Sequence, residues 1–413
     1  MTRSGKWFIL ALLVLSVTIN YIDRGNLSVA ADRLAKELQL DPEKIGVLLM
    51  AFFCTYAPFQ IVSGWLIDRF SVYWIFAVGF FLWSGATILT GLAGTFIAIL
   101  ILRLILGIGE SVAYPSYSKI IAQAYPPEQR GLANGLIDAG CKAGPALGLM
   151  IGSVIISHYG WRSLFLVIGG ASLAWLVPWF LATMKGPAIS TPAHLHPDAG
   201  PGLMEIFRER SAWGSFLSLF CSNYAWYFLI TWLPWYLVRE RHHSEAEMGL
   251  FGSMAFWTVG IASLGSGWIS DKLVQRGGSP TFIRKMFAAG GMAGSSVMAI
   301  VPLLDDERAS LAVLMVACVA YGCYSSHLWL IAQTLAGPAA AGRWTGAQNA
   351  IGNLAGVAAP WLTGRIVRDT GHFSYPFAIV GALLAIGALS YVFIIGPIEP
   401  ISWRSKQLST TAE

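Results

Sequence analysis

GWLIDR, Gly64 to Arg69, ends a long apolar run, and a near-copy, GWISDK, Gly267 to Lys272, ends another in the second half of the chain. Each puts an acid and a base where a run of oily residues stops. A helix that crosses a bilayer needs about 20 mainly apolar residues, and charges gather at its ends. The chain has 413 residues, of which 55% are hydrophobic and 12% charged, and its mean hydropathy is +0.61. Soluble domains carry about a quarter charged residues. The composition therefore indicates an integral membrane protein.

Working outward from the repeated stretch, roughly twelve apolar runs are long enough to span. They fall near 7–30, 45–67, 73–93, 96–122, 130–157, 161–184, 212–238, 246–269, 284–303, 310–335, 343–366 and 374–396. The first follows directly on a short N-terminus holding Arg3 and Lys6. It is longer than a signal-peptide core and lacks a clear cleavage site, so it reads as a retained helix. A second echo supports a duplication: GWRSLFLVIGGA (Gly160–Ala171) opens the sixth run and GHFSYPFAIVGA (Gly371–Ala382) opens the twelfth. The expected fold is all-α, with twelve helices in two bundles of six. The bundles span residues 1–185 and 212–413, joined by a cytoplasmic linker at 186–211 that starts Pro/Gly-rich and ends amphipathic. Paired halves of this kind mark a transporter with its substrate site between them near the bilayer midplane.

Lys272, Arg276, Arg284 and Lys285 fill the loop between the eighth and ninth runs, while the next loop reads DDER (Asp305–Arg308). The positive-inside rule then puts both termini in the cytoplasm, with the cell (inner) membrane as location. Arg239 and Arg241 run against that assignment. The net charge of +5 comes without a long basic run, so no nucleic-acid partner is expected. The five cysteines form no C-x-x-C pair, which argues against a disulfide framework or zinc site. No nucleophile–base pair, metal-ligand cluster or nucleotide loop stands out, so neither an enzyme nor a cofactor is expected. His194–His196 reads as linker rather than metal site, and the Asn26–Ser28 sequon lies in a helix.

Ionisable residues within a membrane span are costly and mark a pathway or relay by default. They concentrate in the first half: Asp23 and Arg24 in helix 1, Arg103 and Glu110 in helix 4, Asp138 and Lys142 in helix 5. At 1.5 Å per residue, Asp23 and Arg103 come to similar depths, within reach of each other. Glu110 falls mid-helix near Gly107 and Gly109. Asp138 and Lys142 stand i,i+4 and either neutralise each other or leave Lys142 for substrate. The second half offers mostly neutral polar candidates: Ser325, Ser326, His327, Trp329, Gln333, Gln348, Asn349 and Asn353. A guanidinium is a planar fork matched to a carboxylate, and a buried acid holds its proton more tightly than one in water. A cation for an anion, beside acids that load and release protons, makes a proton–anion symporter. Importing one anion against an inside-negative potential costs about 2.3 kcal/mol per 100 mV, which more than one co-transported proton reverses.

GWLIDR and GWISDK resemble the loop signature of the major facilitator superfamily. NYIDRGNLSVA (Asn20–Ala30) and RLILGIGESVAYP (Arg103–Pro115) resemble its anion:cation symporter family, which includes bacterial galactonate, glucarate and hexuronate transporters, sialin and the vesicular glutamate transporters. The resemblance covers nearly the whole chain. It implies a monomeric, proton-coupled importer of a sugar acid working by alternating access, with lipid, protons and a small organic anion as its partners. It implies that Arg24 binds the substrate carboxylate, that Asp23 and Glu110 carry protons, and that Arg103 is linked to Asp23. Tyr56, Trp329 and Asn349 would line the site, with Ser325 and Ser326 as neighbours. Asp68, Arg69, Asp271 and Lys272 would gate it, with Asp68 and Arg69 meeting Glu128 or Arg130. Two departures stand out. Cys141 and Lys142 occupy a stretch where sugar-acid relatives keep a neutral polar residue, which favours a diacid or phosphorylated substrate unless Asp138 neutralises the lysine. The basic run that follows the loop signature is missing after Arg69, where FSVYW stands. Rival readings are an organophosphate or dicarboxylate antiporter on the same fold, and a membrane-embedded enzyme.

Overall fold

The computed structural model describes residues 3–125, 127–183 and 201–403; the side chains of Asp68, Glu128 and Arg130 fall outside that description, as does His194–His196. Its long helices are α1 (Arg3–Leu38), α2 (Pro42–Arg69), α3 (Val72–Leu92), α4 (Phe96–Glu110), α5 (Ala113–Ala124) and α6 (Pro127–Thr183) in the first half. A short α7 (Leu203–Arg208) precedes α8 (Arg210–Arg239), α9 (Glu245–Gln275), α10 (Pro280–Ser295), α11 (Glu307–Thr370) and α12 (Ser374–Leu389). A 3₁₀ stretch, Ser296–Leu303, continues α10, and a π stretch, Ser390–Ile394, continues α12.

Ten helical stretches among the described residues are long and apolar enough to cross a membrane. One of them, Leu132–Thr183, has 52 residues, far more than one crossing needs, and it bends at Gly160. The limb of α11 beyond the bend at Gly337 supplies the remaining crossing, made more polar than the others by Arg343, Gln348, Asn349 and Asn353. Twelve crossings result among the described residues. Gly160 has φ +80° and Gly371 φ +74°, a region costly for any residue with a Cβ. These are the first residues of the two echoed stretches; both take positive φ, but ψ is 168° at the kink of Gly160 and −1° at Gly371, the left-handed cap that ends α11.

The distribution of polarity is that of a protein solvated by lipid. Ile61, Phe81, Leu89 and Leu181 are exposed, whereas Asp23, Arg24, Arg103 and Glu110 are at most 3% exposed. Helix starts are capped where they leave the apolar layer. Asp41 accepts from the Lys44 amide at 2.8 Å with Pro42 at the first helical position, and Ser244 and Glu247 form a capping box.

The two halves meet at the end of the bundle distal to the N-terminus. Asp32 of α1 pairs with Arg239 of α8, Arg33 of α1 with Glu245 of α9, and Glu43 of α2 with Arg368 of α11. Ser28 donates to the Thr231 carbonyl at 2.6 Å. Glycines let backbones touch beneath this zipper: a Cβ on Gly46 would stand 2.7 Å from the Pro360 carbonyl oxygen, and one on Gly249 2.0 Å from Ser153 Oγ. Arg239 is thus occupied as half of a pair between the halves. Arg241 is held by Tyr236, Val301 and Ser310.

Candidate functional site

Arg24 lies at the centre. Helix α1 carries it to the midpoint of the molecule, where it is 2% exposed. Its Nη2 donates to Glu110 Oε2 at 3.0 Å and to Asn20 Oδ1 at 3.3 Å. Its guanidinium carbon is 4.7 Å from the ring centroids of Tyr21, Phe52 and Tyr56. Rings on several sides fix the plane of the fork and strip it of water, which strengthens any ion pair it makes. Arg24 Nε, Asn20 Nδ2 and Glu110 Oε1 are buried without a hydrogen-bond partner. The cluster therefore has spare donors and a spare acceptor at its core.

Glu110 is the last residue of α4, not the middle of an unbroken helix. Pro115 has no N–H for the Ser111 carbonyl, so the run loosens at Ser111–Val112 before α5 begins. The close approach of α4 to α2 that brings Glu110 to Arg24 depends on Gly107, where a Cβ would lie 2.3 Å from the Phe52 carbonyl oxygen.

Asp23 and Arg103 do not pair. Asp23 accepts from Asn26 at 3.2 Å, Thr87 at 3.3 Å and Ser172 at 3.4 Å. Arg103 Nε donates to the Leu48 carbonyl at 3.3 Å, and its guanidinium faces Phe52 at 5.4 Å. Equal depth was the basis for linking them, but depth leaves azimuth free. Asp23 points away from α2, into its own bundle toward α3 and α6, whereas Arg103 reaches the α2 backbone. The sequence reading also missed the Arg24–Glu110 pair, Asn20, Tyr21, Thr87 and Ser172. Asn20 was open to detection, one helical turn from Arg24.

Tyr56 is buried, stacked on Phe52 at 5.0 Å and beside Arg24. Across the interface, Phe53 meets Tyr227 of α8 at 4.5 Å, and Tyr227 donates to Asn353 Oδ1 at 2.7 Å. Asn349 lies one turn before Asn353 and is half-buried, as are Trp329 and Ser325. Ser326 is drawn into the second bundle, within 2.9 Å of Ser266 Oγ and of His327 Nδ1. His327 stacks on Phe287 at 5.0 Å. Lys142 donates to Asp138 Oδ1 at 2.6 Å and faces the Trp226 ring at 5.8 Å.

The expected gating residues lie at the other end. Arg69 covers Trp65 at 5.6 Å and Lys272 covers Trp268 at 3.7 Å, the same i,i+4 contact in both copies of the repeat. Asp271 is exposed. The Asp68 side chain and its expected partners Glu128 and Arg130 lie outside the described residues. Among the described residues, ion pairs between the halves form at the distal end, not here. No group of three or more His, Cys, Asp or Glu residues could hold a metal among the described residues.

Comparison with known proteins turns this geometry into an identity. The family model described as the Major Facilitator Superfamily matches residues 13–360. The chain belongs to the major facilitator superfamily. Among its superfamily relatives, the probable galactarate/D-glucarate transporter GudP of Bacillus subtilis is 28% identical over 98% of this chain and 95% of its own. The probable sulfoacetate transporter SauU of Cupriavidus necator is 30% identical over 94% of each chain. The D-galactonate transporter of Escherichia coli is 26% identical over 96% of this chain and 97% of its own. A bacterial homologue of the human lysosomal transporter Spinster, solved in an inward-facing and occupied conformation, superposes with a TM-score of 0.79 at 19% identity, covering 95% of this chain and 97% of that one. The protein is a multi-pass membrane transporter of the superfamily, not an enzyme.

Proposed function

We propose that this transporter is a proton-coupled symporter that imports an organic anion of the sugar-acid type across the cell membrane. The observation that carries the reading is the Arg24 cluster: a fully buried guanidinium, paired with one buried acid, with donors to spare and aromatic walls. An entering carboxylate competes with Glu110 for the fork. As it binds, Glu110 loses its counter-ion in a dry site and takes up a proton. Asp23, held by three neutral donors in the same bundle, is the second carrier. The relatives named for galactarate/glucarate, galactonate and sulfoacetate support an acidic substrate.

With the N-terminus in the cytoplasm, the zipper of Asp32–Arg239, Arg33–Glu245 and Glu43–Arg368 closes the outer side, and the crevice opens inward. Alternating access is then a rocking of the two bundles about the Arg24 level. Arg103, fixed to the α2 backbone, would tune the field around Asp23 and Glu110 without moving.

The test is substrate-driven acidification of proteoliposomes holding the purified protein and a pH dye, across sugar acids, dicarboxylates and sugar phosphates. Lumenal acidification on adding one class is the expected result. In Glu110→Gln, uphill accumulation should vanish while counterflow exchange persists. Exchange of labelled anion that depends on internal phosphate, with no proton movement in the unmodified protein, overturns symport in favour of an antiporter.

A further inference from the structure

Lys142 lies on the face of the first half that meets α8 and α9 of the second. Gly260 of α9 leaves its side chain room, with a Cβ placed there 3.4 Å from Lys142 Cβ, and its ammonium faces Trp226 of α8. A lysine carried by the first half thus presents its charge to the second half.

Lys142 is tied to the Arg24 cluster by a line of polar contacts. Arg24 lies over the Tyr21 ring at 4.7 Å, the Tyr21 hydroxyl is 3.3 Å from that of Tyr114, and the Tyr114 hydroxyl is 2.8 Å from Cys141 Sγ. Cys141 adjoins Lys142 in sequence. One wall, made of α1, α5 and α6, therefore carries both cations on either side of two tyrosine hydroxyls and a thiol.

The charges decide what that wall selects. The buried core holds two acids, Asp23 and Glu110, and two cations, Arg24 and Arg103. Lys142 is a further cation, 16% exposed, whose partner Asp138 is 51% exposed. A half-solvated pair of this kind is weak and separable. An ammonium has three donors, and Asp138 takes one at 2.6 Å. A substrate anion arriving from the crevice can share Lys142 with Asp138 or displace it.

We infer that Lys142 is a specificity-determining residue that binds a second anionic group, so that this transporter takes small organic dianions: a carboxylate at Arg24 and a carboxylate, sulfonate or phosphate at Lys142. Asp138 holds the lysine in place while the site is empty. This rests on the reading of Arg24 as the carboxylate ligand.

The experiment is binding to the purified full-length protein, by calorimetry or thermal shift, of matched acids: a six-carbon aldonate, the aldarate of the same skeleton, a sulfonated short carboxylate and a phosphorylated aldonate. The unmodified protein should bind at least one dianion about tenfold more tightly than the monoanion, a difference of about 1.4 kcal/mol. Lys142→Gln should bring the two affinities together, Lys142→Arg should keep them apart, and Asp138→Asn should tighten the dianion by removing its competitor. The three dianions rank the preferred second group. The inference falls if the unmodified protein prefers the monoanion, if Lys142→Gln leaves the ratio unmoved, or if it weakens both acids equally. Should Lys142→Gln fail to fold, an Asp138→Asn protein with an unchanged ratio overturns it as well. Arg24→Ala should abolish binding of every acid; survival of that binding brings down the parent reading rather than this one alone.

Discussion

At the scale of single residues, the site works because its cations differ in what holds them. Arg24 has a charged partner, rings around its plane and a free Nε, so its fork is oriented yet not saturated. Arg103 is anchored to a backbone carbonyl and has no ion pair among the described residues. Arg24→Lys keeps the charge but loses the fork and the stacking surface. It should weaken substrate by at least about tenfold, or about 1.4 kcal/mol, in a binding titration; an undiminished affinity would mean that charge alone recruits the anion. Asp23→Asn is near-isosteric and preserves an acceptor for Thr87 and Asn26. Its melting temperature in detergent should stay near that of the parent while proton-driven accumulation is lost; accumulation at the parental level would remove Asp23 from the coupling. These identities were legible in sequence because a charge inside an apolar run has no cheap explanation. Their partners were not. Thr87, Ser172 and Tyr21 are ordinary residues of membrane helices, and only the azimuth of each helix, set by packing, makes them neighbours of an acid or a guanidinium.

At the scale of helices, glycines set the distances. Gly107 lets α4 press on α2, and Gly109 lets it press on α3, where a Cβ would stand 2.8 Å from the Trp83 amide nitrogen. Gly85 of α3, by contrast, has nothing within 4 Å of its Cβ position. Gly107→Ala should therefore lower the melting temperature and impair transport by pushing Glu110 off Arg24, whereas Gly85→Ala should be neutral in both assays. Equal tolerance of the two would show that the α2–α4 contact is softer than drawn. Length and apolarity located most helices within a few residues, but two features escaped them. α1 runs on to Leu38 through Asp32, Arg33 and Lys36, because the polar turn that follows the apolar core is still helical and is used for contact. The loosening at Ser111–Val112 was hidden because Pro115 sits inside an apolar run, and such a run reads as one span.

At the scale of the whole molecule, three ion pairs and a set of glycine contacts hold the distal end shut. Partly exposed pairs contribute about 0–1 kcal/mol each, so together they bias an equilibrium between two arrangements of the bundles rather than fix one. Reversing a single charge, Asp32→Arg, should open that end; Arg239→Asp added to it should close it again. Labelling of a cysteine placed at Ser28 in a cysteine-free background, with an impermeant thiol reagent applied from the distal side, would rise in the single variant and fall back in the double. Unchanged labelling in the single variant would assign the closure to backbone packing alone. The zipper was the least legible part of the sequence. Its members sit at helix ends, where charges are commonplace, and Arg239 reads there as a loop residue that disturbs the topology.

The zipper also bears on how a duplicated chain must diverge. Helices α1 and α8 open the two halves and hold matching places in them, yet where they meet one brings Asp32 and the other Arg239. A twofold contact between two identical halves would make every pair twice, residue i on j and residue j on i. Among the described residues each pair of this end is instead made once, Asp32, Arg33 and Glu43 coming from the first half and Arg239, Glu245 and Arg368 from the second. In the pairing of Asp32 with Arg239, the covalent doubling of the fold has become a heterodimer within one chain.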